Sequence, residues 1–377
     1  MDYTTSIYNV NITNITSIKS FISNQNRNQR ILNDDVFEPF SNESIVVVVQ
    51  VHKRFEYLRH LINGLSIASN ISQTLLIFSH DYFDDEINHI VNSIKFCRVL
   101  QIFYPYSIQL HPKEFPGTDP EDCARDVNQD FAKVLKCKSY DSPDSFGHYR
   151  EAAYAQIKHH WWWKANQVFD HVTITQNYDG YFLFLEEDHY VAPDFLYMIK
   201  LMESKALEVC KECNILVLGK HKVPTRNISF INNDVIKSEW VSSKHNMGMA
   251  FKRSTWINIK NCSNIFCTYD DYNWDWSIQH ISRSCMVNKL QTLSLFSPRV
   301  FHIGQCGMHA FKNVECSAES IVTNLIESFH YSLDNFYPSN LKIGYEFNTN
   351  FILSKNGGWN DKRDHMLCLN ITNQFKN

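Results

Sequence analysis

The chain contains no Gly-x-Gly-x-x-Gly run, which makes a dinucleotide cofactor a poor candidate. It also lacks an excess of one charge. Lys+Arg 36 stand against Asp+Glu 40, a formal net charge of -4, so no polyanion partner is favoured and nucleic acid is excluded as a working idea. No apolar run within residues 1–41 is long enough for a signal peptide or a membrane span. That stretch is polar and rich in Asn, Ser and Thr, so residues 1–43 read as a disordered stem. No repeat and no linker interrupts residues 44–368, and residues 44–377 therefore read as one domain. A second Cys-x-x-Cys is missing as well. Cys210 and Cys213 stand alone at that spacing, which gives a structural zinc site little support.

What is present begins with 377 residues at 44% hydrophobic, enough to bury a large core. Eleven cysteines accompany seven Asn-x-Ser/Thr sequons, at Asn11, Asn14, Asn42, Asn70, Asn227, Asn261 and Asn370. Together they favour an oxidising lumen with disulfides, and the odd cysteine count leaves one thiol over. With no anchor visible in the chain, the expectation is that the anchor lies outside these residues.

Apolar runs alternate with helical patterns. Ile45 to Val51, Thr74 to Phe78 and Val99 to Phe103 read as buried strands. Between them, Phe55, Leu58, Leu61, Ile62 and Leu65, then Ile87, Ile90, Val91 and Ile94, fall at helical spacing. Strand, helix, strand, helix, strand is a Rossmann-like nucleotide-binding half, and the fold class is α/β. Asp81, just past the second strand, suits hydrogen bonding to a ribose or base. Residues 104–148 read as irregular. Tyr149 to Val168 reads as a helix carrying Trp161-Trp162-Trp163, taken as core, with a sugar platform as the alternative. His159 and His160 are adjacent and cannot share a helix face as a metal pair.

Tyr181 to Leu185 is another buried strand, and Glu186, Glu187 and Asp188 follow at its carboxyl end, where open α/β sheets place ligands. Three acids there are costly without a cation, and a hard divalent ion bridging to a substrate phosphate is the natural occupant. Downstream lie a basic loop with Lys220, Lys222 and Arg226, a short strand in Lys244–Phe251, and a helix opening near Thr268. Asp270 or Asp271 suits capping of that helix. Asp275, a turn further in between Trp274 and Trp276, is not explained by capping. His302 ends the last apolar strand, and a lone histidine there is structural unless a carboxylate site lies beside it.

Several longer runs carry a resemblance. They include Phe78-Ser-His-Asp81, Pro143 to Glu151, Lys158-His-His-Trp-Trp-Trp-Lys164, Leu185-Glu-Glu-Asp-His-Tyr190, His245-Asn-Met-Gly248, Phe266 to Trp276, Cys306-Gly-Met-His309 and Lys355 to Trp359. On these the chain resembles the N-acetylglucosaminyltransferase II family over nearly all of residues 45–368. The resemblance implies a GT-A fold with a mixed central sheet, a UDP-N-acetylglucosamine donor, an N-glycan acceptor on glycoproteins, Mn2+ and an inverting transfer in the Golgi lumen. Asp188 and His302 would bind Mn2+, and Asp275 would be the catalytic base. Donor contacts would come from Gln50, His52, Arg54, Asp81, Gln156, Ile157, Lys158, His159, His160, Glu186, Glu187 and Arg226. The implied disulfides are Cys123–Cys137, Cys210–Cys213, Cys262–Cys285, Cys267–Cys368 and Cys306–Cys316, with Cys97 left free. A homodimer stays open. So do two other classes: a glycan-binding homologue without activity, and a metal-dependent hydrolase using the same acids and histidines.

Overall fold

The structure, a computed structural model, describes residues 14–221, 233–304, 317–344 and 355–373. Its strands are β1 (Ile31–Leu32), β2 (Val46–Val51), β3 (Leu75–His80), β4 (Arg98–Phe103), β5 (Phe182–Glu186), β6 (His189–Val191), β7 (Ile215–Val217), β8 (Gly219–Lys220), β9 (Asp234–Glu239), β10 (Met249–Phe251), β11 (Gln291–Leu295), β12 (Val300–His302) and β13 (Lys342–Gly344). A ten-stranded sheet runs β1-β4-β3-β2-β5-β10-β7-β11-β9-β13, and β6-β12-β8 form a separate three-stranded sheet.

Strands β4, β3, β2 and β5 are parallel neighbours. From β2 the chain moves outward to β3 and β4, then returns to lay β5 on the other side of β2. That reversal is a topological switch point, and it opens a crevice beyond the carboxyl ends of β2 and β5. Beyond β5 the sheet is mixed: β10 runs antiparallel to both β5 and β7, while β11 is parallel to β7. This is the mixed α/β architecture expected of a GT-A fold.

The valine run of β2 shows why the strands form. Val47, Val49 and Val51 enter one apolar layer and Val46 and Val48 the other, the period-two alternation of a strand covered on both faces. The first layer takes helices α2 (Phe55–Ser66), α3 (Asp85–Asn92) and α6 (Phe195–Val209). Aromatics of α5 (Ala152–Asn166), α8 (Arg253–Asn261), α9 (Ser263–Thr268) and α10 (Trp274–Ser284) fill the second, with Cys368 and Ile371 of α12 (Lys362–Asn373). Trp161, Trp162 and Trp163 are all buried, and Trp161 stacks on Trp274 at 4.4 Å, so the tryptophan run is core and not a sugar platform. The remaining helices are α1 (Ile15–Asn28), α4 (Gln129–Leu135), α7 (Ser242–His245) and α11 (Ala318–His330).

Helix α1 differs from the disordered stem expected of residues 1–43. Asn14 caps it by accepting from the Thr16 and Ser17 N–H groups. Ile18 and Ile22 pack on Phe83, Phe103 and Leu110. Asn26 exchanges both of its amide hydrogen bonds with the backbone of Phe103, at 2.7 and 2.8 Å. With β1 paired to β4, residues from Ile15 onward cover the sheet edge and belong to the domain. One further expectation changes: Lys244 lies in the short helix α7, with the strand confined to Met249–Phe251.

Disulfides join Cys123 to Cys137, Cys210 to Cys213, Cys262 to Cys285 and Cys267 to Cys368. Cys97 is free and buried. Cys306 and Cys316 lie outside the described residues. Cys267–Cys368 spans 101 residues of sequence and ties α9 to the final helix, whereas Cys210–Cys213 spans 3. Replacing Cys267 and Cys368 by Ala is expected to cost about 4 kcal/mol in chain entropy. Paired Cys210→Ala and Cys213→Ala should cost far less, as read from urea unfolding midpoints.

Candidate functional site

The switch-point crevice is a cleft of about 700 Å³. Gln50, His52, Arg54, Asp81, Gln156, Ile157, Glu186, Glu187 and Asp188 all line it. Each stands at the end of a strand or on the facing turns of α5, so the parallel half brings together residues distant in sequence.

The polar groups of this cleft are fixed from behind. Lys164, buried under β2 and β5, donates to Oε1 of Gln50 at 2.7 Å. The Gln50 oxygen thus faces Lys164, and its NH2 group is left to address a ligand acceptor. Asp81 receives Nδ1 of His52 at 2.5 Å and Nε2 of Gln156 at 3.0 Å, with His160 at 3.4 Å. Burial would raise the Asp81 pKa, yet hydrogen bonds from His160 and His52 hold it well below the usual carboxylate range. Glu187 is buried and accepts the backbone N–H of His52 at 2.8 Å, which sets the turn after β2. Its burial pushes it up to about 7.

A cation position lies at the other end of the acidic run. Ligand atoms of Glu186, Asp188 and His189 fall within 4.8 Å of one another. Nδ1 of His189 already accepts the Glu186 N–H at 3.1 Å. His302, placed opposite His189 by the β6–β12 pairing, brings Nε2 to 3.4 Å from Asp188 Oδ2. Burial opposes ionisation of Asp188, but the hydrogen bond from His302 and the charges of His189, His302 and Arg54 hold it ionised far into acid. Arg54 also contacts Asp188 through its guanidinium. The Asp188 Oδ1 atom is buried without a hydrogen-bond partner, which a cation would remedy. A Cβ on Gly304 would lie 2.3 Å from Asp188 Oδ2, so the chain passes the carboxylate at a distance only glycine permits. Carboxylate oxygens with an imidazole nitrogen fit a divalent metal.

Asp275 lies outside the lining of the cleft but is linked to it. Its Oδ2 accepts from Asn246 Nδ2 at 2.8 Å, and Asn246 Oδ1 meets His221 Nε2 at 3.0 Å. The ring of His221 is 6.1 Å from that of His302. Burial, with the charge of Asp271 adding to it, pushes Asp275 up to about 7 against hydrogen bonds from the Trp276 N–H and Asn246. Asp270 and Asp271 do not cap α10, whose N-cap is Asn273. Asp270 instead accepts from Ser145 and Trp359, and Asp271 from Asn273 and Asn356.

Three expected donor contacts are placed elsewhere. Lys158 is buried, donating to the carbonyls of Tyr269 and Asp271 with its ammonium 4.3 Å above the Trp359 ring. His159 is bound to Asp364 at 2.9 Å. His160 reaches the cleft only through Asp81, with Ser79 on its other nitrogen at 2.8 Å. Each belongs to the wall behind the cleft, because α5 turns these positions inward. Arg226 and Lys222 lie outside the described residues. Sequence reasoning missed Lys164 and Asn246, although both stand in motifs it singled out.

An acidic, cation-ready cleft at the switch point of a mixed α/β sheet fits a nucleotide-sugar glycosyltransferase. The chain matches the family model described as N-acetylglucosaminyltransferase II (MGAT2) over residues 19–368 and belongs to that family. A relative from Rattus norvegicus named alpha-1,6-mannosyl-glycoprotein 2-beta-N-acetylglucosaminyltransferase is 44% identical over 353 residues, covering 93% of this chain and 79% of its own. Relatives of the same name from Homo sapiens and Arabidopsis thaliana are 43% and 32% identical, over 93% and 91% of this chain and 78% of each relative.

Two outcomes follow from this geometry. Gly304→Ala would displace the Asp188 carboxylate, and is expected to lose divalent-cation binding by calorimetry while the melting transition stays cooperative. Asp275 is expected to lower stability as pH rises. Its folded pKa of about 7 exceeds its ordinary 3.8, so the folded state holds the proton more tightly and stability falls between those values. Asp275→Asn removes that slope, and should raise Tm relative to the parent more at pH 8 than at pH 5.

Proposed function

We propose that this chain is an inverting transferase that moves N-acetylglucosamine from UDP-N-acetylglucosamine to the 2-hydroxyl of the α-1,6-arm mannose of N-glycans, in β-1,2 linkage. The observation that carries the mechanism is the pairing of two sites. One is an acidic strand end in a nucleotide-sized cleft; the other is a separate carboxylate, Asp275, raised to about 7 and joined toward the first by hydrogen bonds. The identity of donor and acceptor is supported by the family and by the relatives' shared name.

In this reading the nucleotide lies across the ends of β2, β3 and β5. The NH2 group of Gln50 addresses a ligand acceptor, and Asp81, held by His52 and Gln156, accepts from the ribose or base. Asp188 and His302, with Glu186 beside them, would hold Mn2+. When bound, Mn2+ supplies Lewis-acid stabilisation of the negative charge on the departing diphosphate. Arg54, next to Asp188 and 3.9 Å from Glu187, adds positive charge at the same edge.

Asp275 accepts the proton of the mannose 2-hydroxyl as that oxygen attacks C1 of the sugar. The bond from C1 to the diphosphate oxygen breaks with its electron pair leaving on UDP, and the anomeric centre inverts. A carboxylate near 7 suits this role, because it is substantially ionised at neutral pH yet basic enough to take up a proton. An oxidising lumenal setting is supported by the four disulfides among the described residues. Among the described residues, no helix is long and apolar enough to cross a membrane.

Asp275→Asn keeps the size of the side chain but cannot accept the proton. It is expected to lower kcat on a mannose-terminated biantennary acceptor by about 10² or more, with Mn2+-dependent donor affinity close to that of the parent. Retention of most of kcat, or a loss confined to donor binding, would remove Asp275 from this role.

A further inference from the structure

We infer that Asn246 is the positioning residue of the base: its amide fixes the Asp275 carboxylate and ties it, through His221, toward the imidazole at the cation position. The inference rests on the reading of Asp275 as base. Asp275 Oδ1 accepts the backbone N–H of Trp276 at 3.0 Å, and Oδ2 accepts Asn246 Nδ2 at 2.8 Å. Each carboxylate oxygen thus spends one acceptor site on the protein and keeps another for a substrate hydroxyl.

The Asn246 amide has one consistent orientation. Its NH2 group must face the carboxylate, so its oxygen faces His221 at 3.0 Å and the Nε2 atom of His221 must donate. Asn246 therefore links two groups with opposite requirements, an acid that needs a donor and an imidazole that needs an acceptor.

The mount is rigid. Asn246 directly follows α7, and the Ser242 N–H of α7 donates to Gln279 Oε1 of α10 at 2.7 Å. The same α10 carries Asp275, and its Trp274 is stacked on Trp161. Two residues beyond Asn246, Gly248 has φ +58, and a Cβ there would meet Val300 at 2.9 Å. The loop is thereby held against β12, the strand that carries His302. A side chain mounted between α10 and β12 sets how the base stands relative to the cleft, which a surface hydrogen bond would not do.

Among the described residues, the titratable groups facing Asp275 are the carboxylate of Asp271, from the loop before α10, and the imidazole of His221 beyond Asn246. The Asn246 donor favours the ionised carboxylate, so its loss should shift the acid limb of the kcat–pH profile upward. Asn246→Ala is expected to lower kcat by about 10- to 100-fold, with KM for UDP-N-acetylglucosamine changed less than about twofold. Asn246→Asp keeps the shape but presents an acceptor and a like charge, and should move the limb further upward. In an Asp275→Asn background, Asn246→Ala should add almost nothing. Melting curves of each variant separate these effects from misfolding, and Asn246→Ser serves if the alanine variant does not fold. Parent-like kcat in Asn246→Ala, a loss without movement of the acid limb, or a loss carried by donor KM would overturn the inference. If Asp275→Asn is inactive while Asn246→Ala is parent-like, only the role of Asn246 falls. If Asp275→Asn keeps its kcat, the base reading falls and this inference with it.

Discussion

Three consecutive carboxylates at the end of a strand buried on both faces are the constraint that shapes this molecule. Removing such charges from water costs several kcal/mol each unless they are compensated, and Glu186, Glu187 and Asp188 meet that cost in three different ways. Glu187 turns inward, accepts the His52 N–H, and is raised to about 7 by burial. Asp188 remains ionised among His302, His189 and Arg54. Glu186 has Lys164 beneath it, a lysine whose own pKa burial lowers to about 7 against the attraction of Glu186 and Asp81. Even so, Asp188 Oδ1 has no hydrogen-bond partner. The protein's own cations and histidines leave this carboxylate oxygen unsatisfied, a condition that suits a divalent cation.

Much of this was legible from the chain. The valine run of β2 and the aromatic strand β5 announce themselves because strands covered on both faces are uniformly apolar, and acids at such a strand end stand out against that background. Helix α1 was not legible, since a largely polar segment is ordered by two buried isoleucines, the Phe21 ring against Phe83 and Phe103, and the paired hydrogen bonds of Asn26. Its neighbours are far along the chain, so local composition says nothing of them. The inward-facing residues of α5 were misplaced for a related reason. Buried on nearly every side, α5 shows almost no polar face, and Lys158, His159 and His160 look like site residues until their partners Asp271, Asp364 and Ser79 are seen.

His302 shows what sequence motif and structure each contribute. As a lone strand-end histidine it carries little chemical meaning. Its place beside Asp188 comes from the pairing of β12 with β6, in register at His302 and His189. The small sheet β6-β12-β8 thus joins the acidic end of the nucleotide half to the segment that carries His302. Strand pairing between distant segments is a long-range property, and no periodicity in either one predicts it.

The same small sheet explains how two chemical tasks are kept apart yet aligned. Donor contacts belong to the parallel strands, whose ends are fixed by the switch point. Asp275 belongs to α10, which packs on α5 through the Trp161–Trp274 stack. If the two halves shifted independently, the attacking hydroxyl and the anomeric carbon would lose alignment, and displacements of about 1 Å can cost 10² in rate. Strand β12 pairs with β6 at one side and β8 at the other, and Gly248 packs directly on its Val300. In the proposed reading, the strand that ends in His302 therefore also backs the loop that positions Asp275, and the alignment of leaving group and proton acceptor depends on that one short strand.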